Sequence, residues 1–128
     1  MTDVEGGLRA ALRAEGLPGV GSRVFVDVEG SPQLPYVTIG LVDSVDDESD
    51  APLDLELVQL DAWGATKLQA HEVYRSLRTW LRTLPPGSTL APGTTFKGAR
   101  VVPGTSYLPD DDGTARYVIT AEIIVAPT

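Results

Sequence analysis

Carboxylates are the most numerous groups able to do chemistry in this chain, and many of them gather in two runs. The first, Asp43 to Asp50, contains Asp46, Asp47 and Glu48; the second is Asp110-Asp111-Asp112-Gly113. Such runs invite a cation, but a calcium loop needs oxygen ligands at alternate positions and a distal glutamate. Neither run has that spacing, and adjacent carboxylates read better as solvated loops, the second as a hairpin tip. His71 is the only histidine, so a two-histidine metal site is excluded and general-base work is the one catalytic role open to it. Its neighbours are Lys and Arg, which points to an ordinary surface position. None of the serines lies in a Gly-x-Ser-x-Gly elbow, and no Gly-x-x-x-x-Gly-Lys phosphate loop occurs. The chain has no cysteine, which rules out disulfides and thiolate-bound zinc. These residues predict no enzyme, no metal and no cofactor.

The remaining charged cluster is a stripe. Between Trp63 and Leu84, at about 100° per residue, Lys67, His71, Arg75, Arg78 and Arg82 share one arc, while Ala70, Val73, Leu77, Trp80, Leu81 and Leu84 share another beside it. The spacing predicts a helix with one apolar face and one basic face, ended by Pro85-Pro86-Gly87. Four of the ten Lys and Arg residues lie in this stripe. It is either a solvated helix face with favourable charge near its C-terminal end, or an interface in which the stripe of one copy meets an acidic loop of the next.

The elements that must position these groups follow from periodicity. Val4, Leu8, Ala11 and Leu12 predict a short amphipathic helix from Asp3 to about Glu15, capped by Thr2 or Asp3 and stopped by Gly16 and Pro18. Arg23 to Val28 alternates as a strand, and Glu29 to Pro35 reads as loop. Tyr36 to Val42 is a second strand, with apolar groups on both sides and therefore central or covered. Leu53, Leu55 and Leu57 alternate with acids, then the pattern changes phase at Val58 and Leu60, which predicts a bulge near Leu57 and Val58. After the helix, Gly87 to Gly93 reads as loop, Thr94 to Val102 as a strand interrupted by Gly98, and Pro103 to Ala115 as a long mobile connection. Arg116 to Val125 closes the chain as a strand, with Tyr117, Ile119, Ala121, Ile123 and Val125 on one face. The 128 residues predict a single domain over 1–128. Its fold class is α+β: a mainly antiparallel sheet of about five strands, the long helix packed across one face, and a short N-terminal helix.

Eighteen acids against ten Lys and Arg give a formal charge of −8, which opposes binding to phosphate backbones or anionic lipid. No run of eighteen apolar residues occurs and Met1 is followed by acidic and small residues, so neither a membrane span nor a secretion signal is expected.

The order of elements has a further meaning. A short N-terminal helix leads to Arg23-Val24-Phe25, then to a Pro/Gly loop running into Leu34-Pro35-Tyr36-Val37-Thr38-Ile39-Gly40. An acidic loop, a strand ending near Trp63 and an Arg-studded helix follow. This pattern resembles the tail terminator, or tail completion, proteins of long-tailed bacteriophages; the last third, from Thr94, matches in outline. The resemblance implies a structural protein at the head-proximal end of the virion tail, assembled in the host cytoplasm. There it would form a ring, commonly of six copies, that caps the tail tube, stops its polymerisation and joins the head-side connector. Its partners would be itself, the tube protein and the connector, with DNA passing through the lumen without specific binding. The family brings no catalytic residues. On this reading the subunit-interface candidates are Lys67, His71, Arg75, Arg78, Arg82, Asp46, Asp47, Glu48, Asp110, Asp111 and Asp112. Two alternatives share the scale and the lack of motifs: a head-closure or minor tail protein of the same virion, and a small bacterial ligand-binding domain or enzyme.

Overall fold

The computed structural model describes residues 3–28, 30–46, 53–104 and 107–127, with the backbone alone at 43–46. The elements in chain order are α1 (Val4–Glu15), β1 (Val24–Phe25), β2 (Tyr36–Asp46), β3 (Asp54–Gly64), α2 (Lys67–Thr83), β4 (Thr89–Ala91), β5 (Thr94–Val101) and β6 (Ala115–Pro127). The strands form one six-stranded sheet in the order β1-β2-β3-β6-β5-β4. All neighbours are antiparallel except β1 and β2, which run parallel. The sheet is thus mixed and one strand larger than the expected five.

Both helices bury their apolar sides on the same face. Ala70, Val73, Leu77, Trp80 and Leu81 of α2 are buried against β3 and β6, the two central strands. There Val58, Leu60 and Ala62 meet Ile119, Ala121, Ile123 and Val125 in one continuous core. The expected apolar arc is therefore the packed one. Meanwhile α1 contacts β1 and β2 at one edge of the sheet and β4 at the other, so the sheet curls and α1 fills the gap between its edges. Gly7 makes that possible: a Cβ there would sit 2.7 Å from the Leu90 carbonyl oxygen. On the opposite side of α1, Glu5 accepts the Leu41 N–H at 3.1 Å and Arg13 donates to the Val24 carbonyl at 2.9 Å.

Local chemistry sets the ends of the helices. The Asp3 carboxylate accepts the Gly6 N–H at 2.9 Å, and Gly16 closes α1 in the left-handed region at φ 68°. Thr66 caps α2 by accepting the Gln69 N–H at 3.1 Å, and Gln69 reaches back to the Ala65 N–H at 2.7 Å. The helix consequently starts four residues later than Trp63, and Trp63 and Gly64 complete β3. Gly64 has no room for a side chain, because a Cβ would lie 2.4 Å from the Ala70 nitrogen.

Several expectations are corrected. Only Val24 and Phe25 of the stretch Arg23–Val28 pair as strand. The acidic run is not loop throughout: Asp43 to Asp46 extend β2 and pair with β3, while 47–50 lie outside the described residues. The bulge sits in β2 at Val42, between the pairs Leu41–Val58 and Asp43–Leu57. Strand β3 keeps its phase, with Leu55 and Leu57 on the outer sheet face and Glu56 buried on the inner one. Thr89–Ala91 in the expected loop forms β4. A second bulge, at Lys97 beside Gly98, moves the inward positions of β5 from Phe96 to Ala99.

Replacing Leu77 with Asp puts an unpaired carboxylate in the core and should cost about 4 kcal/mol or more, a large share of a domain's stability. Arg82→Asp, on the exposed arc of the same helix, should cost less than about 1 kcal/mol. Thermal melts followed by circular dichroism give the ranking; near-equal losses would mean that the helix faces are misassigned.

Candidate functional site

The stripe on α2 is not one surface. Arg75 lies on the flank that faces the turn after α1, in an open groove of about 480 Å³ with Glu15, Leu17, Glu72 and Trp80. Lys67, His71, Arg78 and Arg82 lie toward β5 and β6. The Lys67 ammonium sits 4.6 Å from the Tyr107 ring centroid. His71 is half-buried, 5.2 Å from Tyr117 and 6.0 Å from Tyr74 between ring centroids. It is therefore part of an aromatic cluster and not the ordinary surface residue expected, because position 71 falls where α2 overhangs the start of β6. Arg78 is half-buried; its Nη1 is 3.4 Å from the Tyr74 hydroxyl, and its Nε is buried without a hydrogen-bond partner.

The acidic tip is well defined. Gly113, at φ 88°, closes a turn in which the Asp110 carbonyl accepts the Gly113 N–H at 2.9 Å and the Asp110 N–H donates to the Thr114 carbonyl at 3.0 Å. Asp112 accepts the Thr114 N–H at 2.8 Å, and bonds from Thr114 hold its carboxyl below the usual carboxylate range. Asp110, Asp111 and Asp112 are all exposed. The connection that carries them is tied to β6 by a bridge between Tyr107 and Tyr117 and by the Leu108 N–H donating to Arg116 at 3.0 Å. Asp46 pairs with Asp54 through the backbone; Asp47 and Glu48 lie outside the described residues.

Periodicity gives no sign of the ladder on the outer face of the sheet. Phe25 meets Tyr36 edge-on at 6.0 Å, Tyr36 stacks on Trp63 at 5.6 Å, and the Arg116 guanidinium lies 5.1 Å from the Trp63 ring. Trp63 donates to the Thr38 hydroxyl at 2.9 Å. Arg116 also pairs with Asp61 at 3.6 Å, and Asp61 accepts from Gln59 at 3.0 Å. Burial pushes the Asp61 carboxyl up, against the lowering effect of Gln59 and Arg116. Burial also raises the Tyr36 hydroxyl, helped by the charges of Asp110 and Asp112, so the tip stands close to this ladder. A register argument reaches these residues only once Tyr36, Trp63 and Arg116 are known to be cross-strand neighbours.

Two ion pairs occur among the described residues, Arg100 with Glu122 at 3.1 Å and Arg116 with Asp61. Lys67, Arg75, Arg78 and Arg82 take part in neither, nor do the three aspartates of the tip. No cluster of three or more His, Asp or Glu side chains able to hold a metal occurs among the described residues, and no described helix is long and apolar enough to cross a membrane. The arrangement offers charge of opposite sign on two separate elements, α2 and the tip before β6.

The fold and this surface define a small α+β module whose basic helix face and acidic tip join no ion pair among the described residues. Residues 6–126 match the family model of the tail completion protein gp17; the chain belongs to that family, one of structural proteins of phage tails. A chain in the virion of a native gene transfer agent particle superposes with a TM-score of 0.66, at 18% identity over 96% of this chain and 91% of that one. At that identity the likeness is one of fold. No curated protein sequence matches significantly.

Asp61 supplies a test of the outer face. Its carboxyl binds its proton more tightly in the folded chain, so the native state gains stability as pH falls from neutral toward the ordinary carboxylate value, and that gain stops once the unfolded chain is protonated too. Measured against Asp61→Asn, the wild type should become relatively more stable between about pH 6 and pH 4. A relative loss over that range in parallel melts would mean that pairing with Arg116 outweighs burial.

Proposed function

We propose that this chain is the terminator of its phage tail. Copies close into a ring, of six on the family pattern, at the head-proximal end of the virion tail. One side of the ring matches the last layer of the tube, and the other receives the head-side connector. The observation that carries the reading is the family match joined to the sorted charges: a basic helix face and an acidic tip, neither of which joins an ion pair among the described residues. Surfaces of opposite sign on different elements favour head-to-tail contact between copies, and such a contact closes into a ring when its rotation allows. Closure leaves no free copy of the growing surface.

Lys67, His71, Arg75, Arg78 and Arg82 on one side, and Asp110, Asp111 and Asp112 on the other, are the proposed contact residues. Asp46, at the end of β2, and Asp47 and Glu48, which follow it in sequence, are candidates for contact with adjoining rings, since carboxylates can pair with cations across such a contact. A ring multiplies the chain's charge of −8, and acidic groups facing the lumen keep DNA phosphates moving without specific binding. Neither a cofactor nor a catalytic residue is required, and assembly would take place in the host cytoplasm.

Deleting the gene should yield filled heads separate from tails, with many tails longer than normal because nothing stops the tube. Electron micrographs decide. Tails of normal length already joined to heads would contradict the terminator role and favour a head-closure or minor tail protein.

A further inference from the structure

A buried guanidinium nitrogen without an acceptor is an unusual feature, because buried polar atoms in folded proteins are nearly always hydrogen-bonded and an exception calls for a missing partner. Arg78 Nε is such an atom; it is closed to solvent, and the half-buried side chain presents the guanidinium charge through its remaining surface. That side chain borders a groove of about 420 Å³ between α2, the end of β5 and the middle of β6, walled by Tyr74, Val101, Val102, Gly104 and Thr120. The Val102 N–H is spent on the Thr120 carbonyl at 2.8 Å, and among the described residues Arg78 joins no ion pair. The groove is recessed, polar and cationic, which suits a single carboxylate.

We infer that this groove is the socket for an aspartate of the Asp110–Asp112 tip on the next copy of the chain, an inference that rests on the ring proposed above. The tip has the required chemistry: three exposed carboxylates on a turn already held by Thr114, none of them in an ion pair among the described residues. It cannot reach its own groove. Val118, the groove residue of β6 nearest the tip, is four residues from Thr114, roughly 13 Å at the rise of a strand, and the Asp110–Thr114 bond carries the tip further away beyond Thr114, so the contact must join two molecules. Each copy then offers one socket and one tip, the heterologous arrangement from which rings are built. Arg75, on the other flank of α2 and in a groove that already holds Glu15 and Glu72, is not part of the socket.

The test uses the full chain and native mass spectrometry, with circular dichroism to check the fold. Arg78→Gln should weaken self-association by at least about tenfold, as loss of one partner of a desolvated charge pair does, and Lys97→Gln, at an exposed cation outside the proposed contacts, should leave it within about twofold. Arg78→Asp and Asp111→Arg should each abolish the oligomer, and combined in one chain they should restore it. Because the chain has no cysteine, Pro103→Cys with Asp111→Cys gives a second readout that leaves Arg78 untouched: oxidation should produce a covalent ladder of copies. A wild-type ring that tolerates Arg78→Gln as well as Lys97→Gln and gives no ladder would overturn the socket and leave the terminator role standing. A wild-type chain that stays monomeric under all conditions would overturn socket and ring together.

Discussion

The apolar arc of α2 has one place to go, the inner face of the sheet over β3 and β6, and the outside of the molecule follows from that placement. With Val73, Leu77, Trp80 and Leu81 turned down onto Leu60 and Ile119, the basic arc beside them is carried up to the flanks of the helix. It splits there: Arg75 faces the turn after α1, and Arg78 is drawn half under the helix toward β5 and β6. The same packing demands a curled sheet. A curled sheet leaves a gap between its first and last strands, and α1 fills it by touching both edges at once. Gly7 is where this closeness forbids a side chain, and at Gly64 the turn from β3 into α2 forbids one too.

The family pattern quoted from the first half of the chain is largely a pattern of fold. Arg23 donates from Nε to the Pro35 carbonyl at 2.9 Å and also binds the Gly19 carbonyl. Its own carbonyl accepts the Val37 N–H at 3.0 Å. Arg23-Val24-Phe25 and Leu34 to Gly40 are thus read together because they are bonded together, at the one parallel pairing in the sheet. Phe25, Tyr36 and Thr38 among them reach the outer face, where Tyr36 stacks on Trp63 and Thr38 accepts the Trp63 indole N–H.

What the sequence made legible was what short-range periodicity governs: the buried arc of α2, the inward face of β6, and the cap and stop of α1. What it hid depends on partners far along the chain. Strand β3 looked out of phase because Leu55 and Leu57 are apolar on the outer face and Glu56 is buried on the inner one. The irregularity belongs to Val42 on the neighbouring strand, an edge position that no window around Leu57 contains. Asp43 to Asp46 were read as loop from their charge, yet pairing with β3 outweighs that preference. His71 was read as a surface residue from its Lys and Arg neighbours, but Tyr117, which covers it, is 46 positions away. Arg78 was found as one member of a stripe; its separate environment emerges only when the end of β5 is laid beside α2.

Charge is where fold meets assembly. Many side-chain carboxylates and cations on a surface are solvated singly and contribute little, but here groups that join no ion pair among the described residues are sorted by sign onto α2 and the tip before β6. In the ring proposed above, charge sorted in this way would orient each copy on the next and make assembly sensitive to salt, since screening shortens to about 8 Å at 0.15 M and about 3 Å at 1 M. Sedimentation of the full chain across a range of sodium chloride concentrations tests this most directly. The account predicts a discrete closed oligomer at low salt that dissociates to folded monomers as salt rises, and a monomer indifferent to salt, or an oligomer that tightens with it, would contradict it.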